Sequence, residues 1–235
     1  VATGQRLEQL PIPFEFRVAQ GVDSFLVGAG NRSAVDWIDR WPDWPFAALV
    51  VAGPPGCGKT HLATLWSARA NARTLDLRET DIEQIAIAAG DGRSIVVEDC
   101  DSAVGDSKVE RALLQLYNLI KAGGGRLLLT ARAAPAQWSL TLPDLVSRLN
   151  SGMVVAVQPP DDVLLASIAL KLFADRQIAV NEGVIAYLLN HGERSVTGLS
   201  RAIDALDRAS LAGKRAINVG LTRDVLAGLD DAGDT

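Results

Sequence analysis

Ala47-Ala-Leu-Val-Val-Ala52-Gly53-Pro54-Pro55-Gly56-Cys57-Gly58-Lys59-Thr60 decides the fold. Its first half is a short apolar run that reads as a buried strand. Its second half fits the P-loop pattern G-x-x-x-x-G-K-[ST] in full. Glycines let backbone N–H groups curl around phosphates, and the helix that starts at Lys59 adds the partial positive charge of its N-terminus. In such a loop Lys59 reaches the β- and γ-phosphates, and the Thr60 hydroxyl holds Mg²⁺. Strand before and helix after (59–69) supply the context that separates this motif from a chance glycine-rich turn.

Working outward, strand and helix patterns alternate. A helix is expected over 31–40, ending before Pro42. Strands are expected over 72–77, 94–98, 126–130 and 153–157, with helices over 80–89 and 109–121 between them. In the latter, Leu113, Leu116, Tyr117 and Ile120 share one face. This alternation predicts an α/β fold with a mostly parallel sheet covered on both faces. After Pro159-Pro160 the pattern becomes helical throughout: 161–176, 181–190, 196–212 and 222–229. Pro159-Pro160 therefore marks an expected boundary. The expected organisation is an arm (1–22), a nucleotide-binding base (23–158), a helical lid (159–229) and a polar tail (230–235).

A P-loop needs an acid at a neighbouring strand end. Ser94-Ile-Val-Val-Glu98-Asp99 supplies two. Either Glu98 or Asp99 serves Mg²⁺, and the other orients a water.

The 235 residues carry a net charge of -5, with 48% apolar and 22% charged side chains. That composition excludes a disordered or fibrous chain. No apolar run is long enough to span a membrane, and the start lacks the pattern of a signal peptide. Cys57 and Cys100 are no disulfide framework and fit a reducing cytoplasm. Acidity argues against a free-standing DNA binder, because such affinity comes mainly from neutralising phosphates.

With these residues in view, the chain resembles the DnaA initiator family of AAA+ ATPases over nearly its whole length. Ser24-Phe25-Leu26-Val27-Gly28-Ala29-Gly30-Asn31 resembles the family's adenine-side motif. Gly58-Lys59-Thr60-His61-Leu62 matches its G-K-T-H-L run. Leu142-Pro-Asp-Leu-Val-Ser-Arg148-Leu-Asn-Ser-Gly152 resembles the segment that carries an arginine finger. The resemblance implies an AAA+ P-loop NTPase base with a parallel five-stranded sheet, followed by a small helical lid. It implies ADP or ATP, with Mg²⁺, held by Gly53, Pro54, Pro55, Gly56, Cys57, Gly58, Lys59, Thr60 and His61 together with Phe25, Val27 and Asn31. The metal falls to Thr60, Glu98 and Asp99. Catalytic roles fall to Glu98, Asp99 and Thr130, and to Arg148 acting on a partner's nucleotide.

Two departures bear on the protein's own turnover. Thr197 stands where the family's lid usually presents a sensor arginine, and Arg201, one turn on, is the candidate substitute. Arg132 stands where the family tends to place an Asp. Slow intrinsic hydrolysis and tightly held ADP are the expectation.

The arm sharpens the resemblance. Gln9-Leu10-Pro11-Ile12-Pro13-Phe14 resembles the peptide that docks on the bacterial sliding clamp. Leu10, Ile12 and Phe14 would enter an apolar pocket, with Gln9 at its rim, and proline stiffening lowers the entropy lost on docking. An arm ahead of a lone DnaA-like ATPase module is similar to the family's regulatory inactivators. Those bind the clamp and promote ATP hydrolysis by the DnaA initiator, so DNA is met only through the clamp. A homodimer is also open. Rival readings are a self-sufficient AAA+ ATPase, such as a helicase-loader-like motor, and a DNA-binding initiator paralogue. Trp37, Trp41 and Trp44 are expected to pack or to form a protein-contact patch.

Overall fold

The computed structural model describes residues 16–17, 25–103 and 105–233. Gln9, Leu10, Ile12 and Phe14 lie outside the described residues. A short antiparallel pair, β1 (Phe16–Arg17) and β2 (Phe25–Leu26), precedes α1 (Arg32–Asp39). The main sheet follows, built from β3 (Ala48–Ala52), β4 (Arg73–Thr74), β5 (Ile95–Val97), β6 (Leu127–Ala131) and β7 (Met153–Ala156). Its order is β4-β5-β6-β3-β7 and every pair is parallel.

Each residue of β3 and β6 is buried, as continuous apolar runs in a doubly covered parallel sheet require. The two-residue period splits their side chains between two cores. Ala48, Val50, Leu127 and Leu129 face α3 (Ile82–Ala89), α4 (Ser107–Gly123) and α5 (Pro143–Asn150), through Ile85, Leu116 and Leu145. Leu49, Val51 and Leu128 face α1 and α2 (Lys59–Ala70), through Ile38, Leu62 and Trp66. Burying each such side chain contributes roughly 1.5–3 kcal/mol. The carboxyl end of β3, where the P-loop leaves the sheet, is thus fixed on both faces. The tryptophans pack: Trp44 stacks on Trp66 with centroids 5.1 Å apart, and its Nε1 donates to the Trp37 carbonyl at 2.6 Å.

Four helices complete the chain: α6 (Asp162–Asp175), α7 (Glu182–His191), α8 (Val196–Gly213) and α9 (Val219–Gly233). Asp161, Asn181 and Ser195 cap the first three through side-chain oxygens. Phe173, Leu188, Ile203 and Leu206 form their own core. Among the described residues no helix is long and apolar enough to cross a membrane.

Three elements differ from expectation. The strand expected over 72–77 is confined to Arg73–Thr74. Past it, the Asp76 carboxylate accepts the Arg78 amide at 2.9 Å and turns the chain. Helix α5 was not among the expected elements, although Pro143 sits at its first turn as a helix start allows. The tail expected from 230 continues α9 as far as Gly233, since no breaker follows Leu229 before that glycine.

Candidate functional site

The P-loop is shaped by positions that only glycine fills without strain. Gly56 has φ +72° and Gly58 has φ +104°, both in the left-handed region. Gly58 is also the cap from which α2 starts. Lys59 is 7% exposed, and its Nζ donates to the carbonyls of Gly53 (2.8 Å) and Pro54 (2.9 Å). The ammonium is therefore held inside the loop, beside the first turn of α2.

Two connected compartments open around this loop. One, of about 300 Å³, is mostly apolar; Phe25, Leu26, Asn31, Cys57 and, from α6, Leu164 and Ile168 line it. The other, of about 240 Å³, is polar; Lys59, Thr60, Asp99, Arg132, Val196 and Thr197 line it. Gly58, His61 and Val196 border both. Phe25 stacks on the His61 ring at 5.3 Å. The Asn31 side chain accepts the Gly28 amide (2.9 Å) and donates to the Leu26 carbonyl (3.1 Å), which fixes the apolar wall. Val27 is in the core with Val35 and Val155 and does not line the compartment. Burial pushes the Cys57 thiol up against the opposing charge of Lys59, so the wall is neutral there.

An apolar slot beside a glycine-walled polar end fits a base and a phosphate chain. Among the described residues no three acids, histidines or cysteines sit together as a metal cage. A Mg²⁺ would rest on Thr60, an acid and phosphate oxygens, as that ion commonly does.

The acids separate. Asp99, in the left-handed region at φ +48°, lines the polar compartment, and its amide donates to Thr130 Oγ1 at 3.0 Å. Glu98 does not reach that compartment; it lines a neighbouring cavity, beside Leu75 and Leu113, which Asp99 also borders. Thr130 is 1% exposed, and its hydroxyl holds the turn at Asp99.

From the other side, α8 meets the P-loop directly. The Val196 amide donates to the Gly56 carbonyl at 3.0 Å, and Thr197 reaches the polar compartment. Arg201 does not line either compartment; it donates to Glu193 Oε2 at 3.0 Å. Its one-turn offset keeps it on the helix face of Thr197, but Glu193 draws the guanidinium away. Pro54 contributes its carbonyl to Lys59 and lines neither compartment.

Arg148 lies elsewhere. It is on α5, half-buried, with its guanidinium 6.0 Å from the Tyr117 ring centroid, and it lines neither compartment. Glu110, two turns before Tyr117 on α4, holds the start of α5. Its Oε2 accepts the Thr141 hydroxyl (2.7 Å) and the amides of Thr141 (2.9 Å) and Leu142 (3.1 Å). Its Oε1 accepts the Gly105 amide at 3.2 Å. Burial alone would raise this carboxyl, but these donors outweigh it and hold the group below its ordinary value.

Sequence reasoning missed Glu110 and gave Arg132 no role in the site. Nothing in the sequence marks Glu110, since its partners lie some thirty residues away. Arg132 had a signal, its place just past a strand end at the ligand-binding edge of the sheet.

A family model describing the lid domain of Hda matches residues 167–226. The structure is similar to domain III of the Thermotoga maritima replication initiation protein DnaA. The TM-score is 0.74 at 19% identity, over 87% of this chain and 94% of that one. It is similar to AMPPCP-bound DnaA from Aquifex aeolicus, with a TM-score of 0.66 at 18% identity over 78% of this chain. It is also similar to a Thermotoga maritima RuvB mutant, with a TM-score of 0.65 at 14% identity over 86% of this chain. This chain spans 63% of the Aquifex chain and 68% of the RuvB chain. The protein thus has an AAA+-like α/β fold, a parallel five-stranded sheet followed by helices whose segment 167–226 matches the Hda lid.

Proposed function

We propose that this chain is a DnaA-family AAA+ regulator of replication initiation, of the Hda kind. It holds ADP or ATP between the P-loop and the lid, with a base over the apolar wall and phosphates along Gly53–Thr60. It docks on the sliding clamp through Gln9, Leu10, Ile12 and Phe14. It presents Arg148 to ATP bound by DnaA and so promotes conversion of that initiator to its ADP form. The base (23–158) and lid (159–229) are the two units that do this.

The observation that carries the proposal is the position of Arg148. It lines neither compartment of this chain, yet α4 holds its helix at the Glu110 end and beside Tyr117. A guanidinium outside its own site, on a helix held in place, is suited to a partner's phosphate. There it spreads positive charge over the transferring group, an effect of roughly 10³–10⁵ in rate.

The test is hydrolysis of DnaA-bound ATP with DNA-loaded clamp. The intact chain accelerates it. Arg148→Ala keeps clamp and nucleotide binding and loses the acceleration, whereas deletion of residues 9–14 loses clamp binding first. Retained acceleration by Arg148→Ala removes the finger from the mechanism. Rapid multiple-turnover hydrolysis by the isolated chain favours instead a self-sufficient ATPase, a reading that the intact P-loop keeps open.

A further inference from the structure

Arg132 is the cation of the site that no expectation used. It follows β6 directly, and its side chain lines the polar compartment with Lys59, Thr60, Asp99 and Thr197. Its backbone is pinned, because Asp101 Oδ2 accepts its amide at 2.9 Å and Thr130, two residues before, is tied to the Asp99 turn. Asp101 thus engages the main chain at Arg132 and leaves the guanidinium alone. Among the described residues the Arg132 guanidinium has no hydrogen-bond or ion-pair partner.

The surroundings favour an anion. The N-terminus of α8 borders the compartment with its Val196 and Gly198 amides already donated to Gly56 and Ser195, whereas that of α2 opens on it through Thr60 with no side-chain cap. Unpaired amides at such ends attract negative charge. Lys59 supplies a second cation, but two of its three donors are already given to the Gly53 and Pro54 carbonyls. To this compartment the lid offers Val196 and the neutral Thr197; its Lys171 and Arg176, in the apolar compartment, are paired with Asp175 and Asp204, and Arg201 with Glu193. A forked guanidinium on a fixed strand end suits the planar, two-oxygen edge of a phosphate.

We propose that Arg132 binds the terminal phosphate of the nucleoside di- or triphosphate in this chain's own cleft. It supplies from the sheet the positive charge that the lid does not. This rests on the nucleotide-binding reading above. It also explains how the chain would hold a nucleotide firmly without a lid arginine: the contact comes from the rigid half of the site.

Equilibrium binding of ADP, ATP, adenosine and inorganic tripolyphosphate to the full chain tests it. Arg132→Ala is expected to weaken ADP and ATP by roughly 10-fold or more, the worth of one charge-assisted contact. Its affinity for adenosine should be unchanged. Arg132→Lys should recover part of the loss, and Arg111→Ala, an exposed arginine on α4, should leave binding as it was. Tripolyphosphate bound as tightly as ATP would make the ligand a free polyphosphate and overturn the nucleotide assignment. ADP affinity within twofold of the parent in Arg132→Ala, while Lys59→Ala abolishes binding, overturns the role of Arg132 and leaves the nucleotide reading standing. An intact chain that binds no nucleotide removes both.

Discussion

Glu110→Gln isolates one buried carboxylate and the helix it supports. The side chain is 2% exposed and accepts from Thr141 Oγ1 and the amides of Thr141, Leu142 and Gly105. In the variant, the amide oxygen takes the Oε2 place and keeps three donors. The new NH₂ then faces the Gly105 N–H, donor against donor. Gly105 is exposed, so water can take its freed amide at little cost, while the other three contacts lose their charge assistance, about 1 kcal/mol each. Relief from burying a charge works the other way, so the net loss is about 2 kcal/mol. Urea unfolding near neutral pH measures it. The carboxyl's value is lowered by folding from an ordinary 4.5, so the folded state binds its proton less readily than the unfolded state does. Its stabilisation is therefore full above the ordinary value and is lost as pH falls through the lowered one. The gap between parent and variant must narrow on acidification, since the variant has nothing there to titrate. A neutral-pH gap below about 0.5 kcal/mol, within the range of an ordinary surface change, would refute the reasoning. So would a gap that persists in acid.

Gly56→Ala should destabilise by about 1–3 kcal/mol in thermal unfolding, because the residue sits at φ +72° and its Cβ would fall 2.5 Å from Ser195 Cβ. Nucleotide affinity should fall with it. Trp66→Ala should cost ~3–5 kcal/mol in urea, since the side chain is fully buried against Trp44. Cys57 and Cys100 are both buried with their thiols pushed up, so native protein should react with iodoacetamide much more slowly than unfolded protein. Added nucleotide should slow Cys57 further, because that side chain lines the apolar compartment.

What the sequence revealed was local. The P-loop can be read because its glycines, lysine and threonine are contiguous, and the strands because burial on both faces leaves no polar alternation. Helix starts at Asp161, Asn181 and Ser195 could be read for the same reason, a cap beside its own first turn. Contacts that depend on packing between distant segments were hidden. Arg201 shares the helix face of Thr197, and only the placement of Glu193 decides that it turns away. Glu98 and Asp99 are adjacent in sequence and share one cavity, yet of the two Asp99, at its positive φ, is the one that also borders the polar compartment. Glu110 looks like any solvated acid on an amphipathic helix until the chain brings Thr141 and Leu142 against it.

The bond from the Val196 amide to the Gly56 carbonyl, with Ser195 packed on that same glycine, makes the P-loop the fulcrum of a lever. Helix α8 is its arm: 18 residues. At the usual rise per residue that arm is about 27 Å long. A tilt of about 5° at the fulcrum swings the far end of such an arm by roughly 2 Å. A rotation of the Gly56 peptide too small to notice at the loop itself would be displayed, magnified, at the opposite end of the lid.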